Sequence, residues 1–200
     1  MKKKDLELLL QKIRQPATIK AELEQYSTPA SIAADILWLA FHNGDIHEKK
    51  IADFGCGTGI FAIGAALLGA RKVVAIDIDE GLVKIAKEEA DKMGVEVEFH
   101  VMDVEEFAEK VDTVIMNPPF GAQYANRMAD RIFVQKAMDV SKTIYSLHLK
   151  KGVEFIKNLL SSQKWRIVEE REYKFPIKAS LPFHRKRVEW QDVVMLCAKA

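Results

Sequence analysis

The feature that most restricts the fold of this chain is a glycine-rich turn between a short apolar strand and an apolar helix. Lys50–Phe54 reads as a buried strand, and it leads into Asp-Phe-Gly-Cys-Gly-Thr-Gly over residues 53–59. Glycine permits positive φ and a close approach of the backbone to a ligand. Asp77 ends the next apolar run, a position from which a carboxylate reaches the hydroxyls of a ribose. The turn predicts a nucleotide-type site, and the alternative is a plain strand–helix turn that needs glycine for packing.

Strand-like and helix-like segments alternate through the rest of the chain. Strands are predicted at 50–54, 73–76, 95–101, 111–116 and 143–147, and helices at 60–68, 79–93, 127–140 and 152–163. Asp79 is expected to cap the helix at 79–93, and Gly94 should end it. Such alternation is typical of an α/β fold, a parallel sheet with helices on both faces. Two further strands, at about 165–174 and 188–198, follow each other without a helix, so we expect one of them to be antiparallel.

The first 45 residues are predicted to form two helices. Apolar residues at helical spacing indicate a helix over the first fifteen residues, and Pro16 should end it. Thr28 is expected to be the N-cap of the second helix, with Pro29 at its first position. With 200 residues, the chain is expected to form a single domain over 1–200.

Charge and cysteine content exclude some classes of protein. The 30 Lys and Arg residues balance 29 Asp and Glu, and a net charge of +1 argues against a generally basic nucleic-acid binder. No apolar run reaches the roughly 18 residues of a membrane span, so no membrane association is expected. Two cysteines, Cys56 and Cys197, make no disulfide framework, which favours the cytoplasm. The five histidines show no metal-ligand spacing, and we expect no bound metal.

A second motif, Asn117-Pro118-Pro119-Phe120, follows the apolar run Val114–Met116. Two consecutive prolines make the backbone rigid and remove two N–H donors, which leaves the Asn117 side-chain oxygen and the Pro118 carbonyl as acceptors. An exocyclic amino group has two N–H donors that fit this corner, and Phe120 could stack on the ring that carries the amine. The alternative is a loop that only ends a strand.

Together the two motifs predict methyl transfer to an amino nitrogen. An acidic residue at the start of the glycine turn suits a ligand with a cationic end, such as S-adenosylmethionine. Two acceptors on the amine hydrogens would stabilise the positive charge that grows as the nitrogen attacks, and positioning supplies much of the rate. A target base must leave a helix, or be unstacked already, to enter such a pocket.

A basic cluster near the C-terminus is a candidate RNA-binding surface, with a solvated charged face as the alternative. Aromatic and proline residues, Phe175, Pro176, Pro182 and Phe183, are interleaved with it in what reads as a loop between the last two strands. The cluster consists of Lys174, Lys178, His184, Arg185, Lys186 and Arg187.

These motifs resemble those of class I S-adenosylmethionine-dependent methyltransferases that act on amino nitrogens. The chain is more closely similar to methyltransferase-like family 5, the small-subunit rRNA adenine N6-methyltransferases of archaea and eukaryotes. The resemblance covers nearly the whole chain from about residue 20. It implies a Rossmann-like fold with a seven-stranded, mostly parallel sheet and an antiparallel C-terminal strand. The segments that carry it are Leu23–Pro29, Asp77–Asp79, Val114–Gly121, Tyr145–His148 and Phe183–Lys186.

The resemblance also implies roles for individual residues, with S-adenosylmethionine as cofactor and S-adenosylhomocysteine as product. The N-terminal segment would close over the cofactor through Gln25, Tyr26 and Thr28. Gly55, Thr58 and Ile60 would lie along the methionine part, Asp77 would hold the ribose, and Asp103 and Val104 would receive the adenine. The remaining cofactor-binding residues would be Asp53, Gly57, Gly59 and Asn117. The target adenine would be held by the catalytic residues Asn117, Pro118, Pro119 and Phe120.

The resemblance also implies a partner, and the amine corner leaves other functions open. Eukaryotic members work with a small zinc-binding activator protein. The strand at 95–101, an edge strand in this fold, could accept a partner strand, and the alternative is an ordinary half-buried strand. Methylation of guanine N2 in rRNA, of adenine N6 in DNA or of glutamine N5 in protein are alternative activities. A non-catalytic scaffold is a further alternative, against which the intact Asp53, Asp77 and Asn117 argue.

Overall fold

The structure, a computed structural model, describes residues 1–16, 26–120, 129–178 and 188–200, with only the backbone at 177, 178 and 188. The described strands are β1 (Lys50–Phe54), β2 (Lys72–Asp77), β3 (Glu98–Val101), β4 (Thr113–Met116), β5 (Thr143–Leu149), β6 (Arg166–Lys178) and β7 (Val188–Lys199). The described α-helices are α1 (Lys3–Leu10), α2 (Ala30–His42), α3 (Ile60–Leu67), α4 (Glu80–Met93), α5 (Ala129–Val140) and α6 (Val153–Ser162).

The strands form one seven-stranded sheet in the order β3-β2-β1-β4-β5-β7-β6. The first five strands pair in parallel, and β7 runs antiparallel to both of its neighbours. The Rossmann-like α/β fold with an antiparallel C-terminal strand is therefore confirmed. The strand order reverses between β1 and β4, and the crevice at such a switch point is where open α/β sheets bind ligands.

Helices cover both faces of the sheet, because alternate residues of each buried strand point to opposite sides. Ile51 of β1 packs in a core with α1, α2, α3 and α4. Its neighbour Ala52 packs in a second core with α5 and α6. Among the described residues, no helix is both long and apolar enough to cross a membrane.

The N-terminal helices differ from expectation at their ends. The first helix ends at Leu10 rather than near Pro16, although Ile13 beyond it is still buried in the same core. The second begins at Ala30, with Pro29 at the N-cap position and no side-chain cap. Thr28 is not the cap, because its hydroxyl accepts a hydrogen bond from the side chain of Asn117 instead.

The cap residues of α4 are as predicted. Asp79 accepts hydrogen bonds from the backbone N–H groups of Gly81 and Leu82, and Gly94 ends the helix with φ 65°. The following strand begins at Glu98 rather than at residue 95. Val95 is still held by the helix, because its N–H donates to the Ala90 carbonyl at 3.2 Å.

The last two strands are longer than expected, and this changes the interpretation of residues 174–178. They belong to β6, where residues 166–178 pair with β7, and not to a loop. Pro176 is tolerated there because β6 is an edge strand, which needs no N–H on its outer side. Phe175, expected among aromatics that face RNA, has no exposed surface and packs edge-on against Phe120.

Candidate active site

A cavity of about 190 Å³ lies at the carboxyl ends of β1, β2 and β4. The glycine turn after β1, the end of β2 and the segment after β4 form one side of it. A short 3₁₀ turn at Val104–Glu106 and the residues before α2 complete its wall. The topology thus brings both sequence motifs to one site at the switch point of the sheet.

The glycine turn is tied to the end of β2. Gly55, Gly57 and Gly59 all have positive φ, of 67°, 55° and 83°. The Cys56 N–H donates to the Ile76 carbonyl at 2.9 Å. A Cβ atom on Gly57 would meet nothing within 4 Å, whereas one on Gly59 would lie 3.1 Å from Ala86 Cβ of α4. Gly57 therefore leaves space beside the cavity, while Gly59, expected to bind the cofactor, serves the packing of α3 against α4.

Asp77 connects this turn to the cavity, at the position predicted for a ribose-binding carboxylate. One carboxylate oxygen accepts the Gly57 N–H at 2.8 Å, and the other accepts the Asp79 N–H at 2.9 Å. Burial raises the pKa of Asp77, and the nearby charge of Asp79 adds to that rise. The carboxylate is fixed in place by the backbone while its residue still lines the cavity.

Asp53 lies below the turn and not on the cavity wall, contrary to its expected direct contact with the cofactor. Its side chain is 1% exposed, and one oxygen accepts the Ala62 N–H at 2.9 Å. The other oxygen is buried without a hydrogen-bond partner among the described residues. Burial, with a contribution from the charge of Asp77, raises the pKa of Asp53 to about 8.

Asn117 presents an acceptor to the cavity. Its Nδ2 atom donates to Thr28 Oγ1 at 3.1 Å and to the Tyr26 carbonyl at 3.4 Å. A carbonyl only accepts, so the amide nitrogen must face the residues before α2. Asn117 Oδ1 is then left buried with no partner in the described part of the chain. A free acceptor of this kind is what the sequence analysis expects an incoming amino group to require.

Phe120 and Pro118 differ from Asn117 in their exposure. Pro119 lines the cavity, but Pro118 is buried beside it. The expectation of an open Phe120 face is wrong for this structure, because the ring is 9% exposed and covered by Tyr26 and Phe175. Phe120 still belongs to the segment that begins with Asn117, so the structure differs from the sequence expectation only in how accessible the ring is.

Most of the remaining site predictions meet at the cavity. The predicted residues on its wall are Tyr26, Thr28, Gly55, Gly57, Thr58, Ile60, Asp77, Asp103, Val104, Asn117 and Pro119. Gln25 lies outside the described residues. Asp103 also accepts the Glu105 N–H at 2.9 Å, which shapes the 3₁₀ turn.

Several lining residues were missed by the sequence motifs. Ile78 could have been found from the sequence, because an apolar residue directly after a ribose-binding carboxylate suits contact with the flat base of the same ligand. Cys56 lies within the glycine turn itself, and the others come from separate helices or from the N-terminal segment and share no local pattern. The missed residues are Gln15, Pro16, Ser27, Cys56, Phe61, Ile78, Leu82 and Phe133.

The basic cluster is described only at its start. Lys174 is exposed and pairs with Asp192 of the neighbouring strand, at 2.6 Å between Nζ and Oδ1. This ion pair lowers the pKa of Asp192. Only the backbone of Lys178 is described, and His184, Arg185, Lys186 and Arg187 lie outside the described residues.

The donor and acceptor chemistry of the site fits S-adenosylmethionine and an amine substrate. Two buried oxygens, one on Asp53 and one on Asn117, have no hydrogen-bond partner in the described part of the chain, and such atoms call for N–H donors or positive charge. Asp77 stands where ribose hydroxyls would donate, and apolar side chains of Ile78 and Leu82 suit a flat base. The free space at Gly57 admits a ligand close to the backbone.

Comparisons with known proteins show which family the chain is similar to. A family model described as ribosomal protein L11 methyltransferase (PrmA) matches residues 36–194. The chain is 37% identical to the rRNA N(6)-adenosine-methyltransferase METTL5 of Danio rerio, over 94% of this chain and 93% of that protein. It is 38% identical to an uncharacterized protein of Methanocaldococcus jannaschii, over 98% and 93% of the two chains.

Among solved structures, the chain is similar to PH1948, a candidate RNA methyltransferase of Pyrococcus horikoshii. The two share 36% sequence identity, with a TM-score of 0.92 over 100% of this chain and 98% of that chain.

Proposed function

The chain belongs to the METTL5 family of methyltransferases, and from that premise we propose that it transfers a methyl group from S-adenosylmethionine to N6 of an adenosine in small-subunit ribosomal RNA. The observation that carries the proposal is the buried Oδ1 of Asn117 at the cavity, which has no hydrogen-bond partner among the described residues. Its orientation is imposed by two acceptors on the other side of the amide. An amine with two N–H donors is the group that such a corner selects.

The cofactor would supply an electrophilic methyl group on sulfonium. Gly55, Gly57 and Thr58 would hold its methionine part, and Asp77 would accept hydrogen bonds from its ribose. Asp103 and Val104 would contact its adenine, beside Ile78. Asp53 would act from below the turn, where its carboxyl group accepts the Ala62 N–H and so helps to hold the start of α3 beside the cofactor.

Asn117 would act on the substrate amine by accepting one N6 hydrogen at Oδ1, and the Pro118 carbonyl would accept the other. Both acceptors stabilise the positive charge that develops on nitrogen during attack. The amide is already oriented by Thr28 and by the Tyr26 carbonyl, so little reorganisation is needed when the base arrives. Positioning of this kind supplies much of the rate of an in-line transfer.

We propose that residues 1–45 close over the cofactor within a single domain that spans 1–200. Support comes from Gln15, Pro16 and residues 26–28, which line the cavity beside the glycine turn. The N-terminal part is also held to the far sheet edge, because Asp35 of α2 accepts hydrogen bonds from Arg171 at 3.0 Å and from Tyr173 at 2.7 Å, both in β6.

RNA would be held by the basic cluster around the β6–β7 connection, from Lys174 to Arg187. The segment adds positive charge to a chain that is nearly neutral overall. Phosphate contacts of this kind make affinity fall with salt, so we expect RNA binding to weaken as ionic strength rises.

A protein partner is proposed for the edge strand β3. It pairs with β2 on one side, and Val101 within it is half exposed. A small zinc-binding activator protein could extend the sheet by adding a strand there. We place the enzyme in the cytoplasm, a reducing compartment in which the buried thiols of Cys56 and Cys197 stay unpaired.

One experiment tests the activity. The protein is incubated with methyl-labelled S-adenosylmethionine and, separately, with small ribosomal subunits, naked rRNA, tRNA, DNA, release factor and ribosomal protein L11. The products are then digested and identified. We expect label in N6-methyladenosine from small-subunit rRNA. Label in N2-methylguanosine, in DNA or in a protein side chain would overturn the proposal and identify the alternative substrate.

A further inference from the structure

The rings of Tyr26 and Phe120 lie nearly parallel beside the catalytic asparagine. Their centroids are 6.3 Å apart and their planes differ by 20°. Tyr26 is part of the cavity wall, and Phe120 is the neighbour of Pro119 on that wall. The two rings therefore belong to different parts of the chain but meet at the same end of the site.

The spacing of the rings is large for a direct stack. Stacked aromatic pairs have centroids about 4.5–7 Å apart, so 6.3 Å lies near the upper end. A flat base in van der Waals contact with two rings needs about 7 Å between them, twice the roughly 3.5 Å contact distance of carbon atoms. The 6.3 Å between the two centroids includes any sideways offset of the rings, so the planes lie no farther apart than this, and Tyr26 must move away from Phe120 to open a slot for one base.

The backbone of Tyr26 connects this slot to the amine site. Its carbonyl accepts from Asn117 Nδ2 at 3.4 Å, so the residue that covers Phe120 also helps to orient the catalytic amide. Phe175 also packs edge-on against Phe120, with 5.7 Å between the centroids of the two rings. Phe175 is fully buried, whereas Tyr26 is only half-buried. Tyr26 is thus the wall of the slot with room to move.

We propose that Tyr26 is a substrate-binding residue: its ring covers Phe120 when no base is present and becomes the second face of a sandwich around the target adenine. The inference rests on the proposed function, because it takes an adenine as the occupant. It assigns Tyr26 to substrate binding, whereas the family resemblance assigned it to cofactor binding. Two stacking faces would hold the ring plane while Asn117 and Pro118 hold the amine.

The test compares three variants, Tyr26→Ala, Tyr26→Leu and Tyr26→Phe, in full kinetics with the small-subunit rRNA substrate. Base–aromatic stacking strengths predict that Tyr26→Ala and Tyr26→Leu lower kcat/KM for RNA by about 10-fold or more. Tyr26→Phe keeps the aromatic face and should stay within about 2-fold of wild type. The Kd of S-adenosylmethionine, from calorimetry, should change by less than about 2-fold in all three. Phe155→Ala, which removes an exposed ring of α6, is the control.

Each outcome has a defined meaning. A weaker Kd for the cofactor with unchanged kinetics toward RNA would overturn the inference and leave Tyr26 on the cofactor side. A Tyr26→Leu variant that equals wild type would also overturn it, because bulk rather than an aromatic face would then suffice. If wild type methylates something other than adenosine, the proposed function fails first. A 2-aminopurine at the target position gives an independent signal, since its fluorescence should be less quenched in Tyr26→Leu than in wild type.

Discussion

The amide nitrogen of Asn117 and the hydroxyl oxygen of Thr28 are 3.1 Å apart, although the two residues are separated by 89 positions in the chain. This contact joins the segment before α2 to the end of β4, across the mouth of the cavity. It fixes the amide with its nitrogen toward Thr28 and leaves the oxygen on the other side. The acceptor that we propose for the substrate amine is therefore oriented by Thr28.

Replacing Asn117 tests the amine corner directly. We expect Asn117→Ala to lower the single-turnover rate of methyl transfer by about 100-fold or more, the usual effect of losing one group that stabilises transition-state charge. The Kd of S-adenosylmethionine should change only a few-fold, because the turn and Asp77 remain. Single-turnover kinetics and calorimetry measure the two effects. Near-normal transfer would contradict the mechanism.

Thr28→Val should act through Asn117. The variant keeps the shape of the side chain but removes the hydroxyl, so the amide is held only by the longer bond to the Tyr26 carbonyl at 3.4 Å. We expect kcat to fall by about 10-fold, with a smaller change in the KM for S-adenosylmethionine. Thr28→Ser, which keeps the acceptor, is the matched control and should restore most of the rate. Equal rates in Val and Ser variants would show that the hydrogen bond is not needed.

The sequence predicts features that depend on local chemistry, and it misses those that depend on distant partners. Asp79 and Gly94 are correct as helix caps because a cap needs only its own neighbours. Thr28 also has the local chemistry of a cap, but Asn117 takes its hydroxyl. Phe175 looks like a loop aromatic until β6 is paired with β7. Those pairings arise from the closed fold, and no local pattern records them.

Alanine substitutions at Gly57 and Gly59 should distinguish a glycine needed for cofactor binding from one needed for stability. Both have positive φ, so alanine at either position costs about 1 kcal/mol of backbone strain. Gly57→Ala meets no atom in the free protein, and we expect a small loss of stability but at least about 10-fold weaker cofactor binding. Gly59→Ala crowds Ala86 at 3.1 Å, and its main effect should be on the free energy of unfolding, by about 1–3 kcal/mol beyond the strain. Urea unfolding and calorimetry distinguish the two, and the reverse pattern would contradict the assignment of Gly57 to the cavity.

Asp53 should make the stability of the cofactor-free protein depend on pH. Burial raises its pKa from 3.8 to about 8, so the folded protein holds a proton that the unfolded chain releases at a lower pH. The stability that this carboxyl contributes is complete below pH 4 and is lost as the pH rises to about 8. Asp53→Asn keeps an oxygen for the Ala62 N–H and cannot ionise. The unfolding free energy of the variant relative to wild type should therefore increase with pH across this window, by an amount on the order of a few kcal/mol.

The unfolding free energies of variant and wild type must be compared at each pH, because a second buried group makes stability depend on pH in the opposite direction. Burial lowers the pKa of His148 from 6.5 to about 3, so its contribution to stability is lost as the pH falls through that range. This contribution is common to both proteins and cancels in their difference. Urea unfolding at pH 5, 6.5 and 8 without cofactor measures that difference, with Asp91→Asn at an exposed site of α4 as the control for a lost carboxylate. A difference that stays constant from pH 5 to pH 8 would show that Asp53 is already ionised in the folded protein.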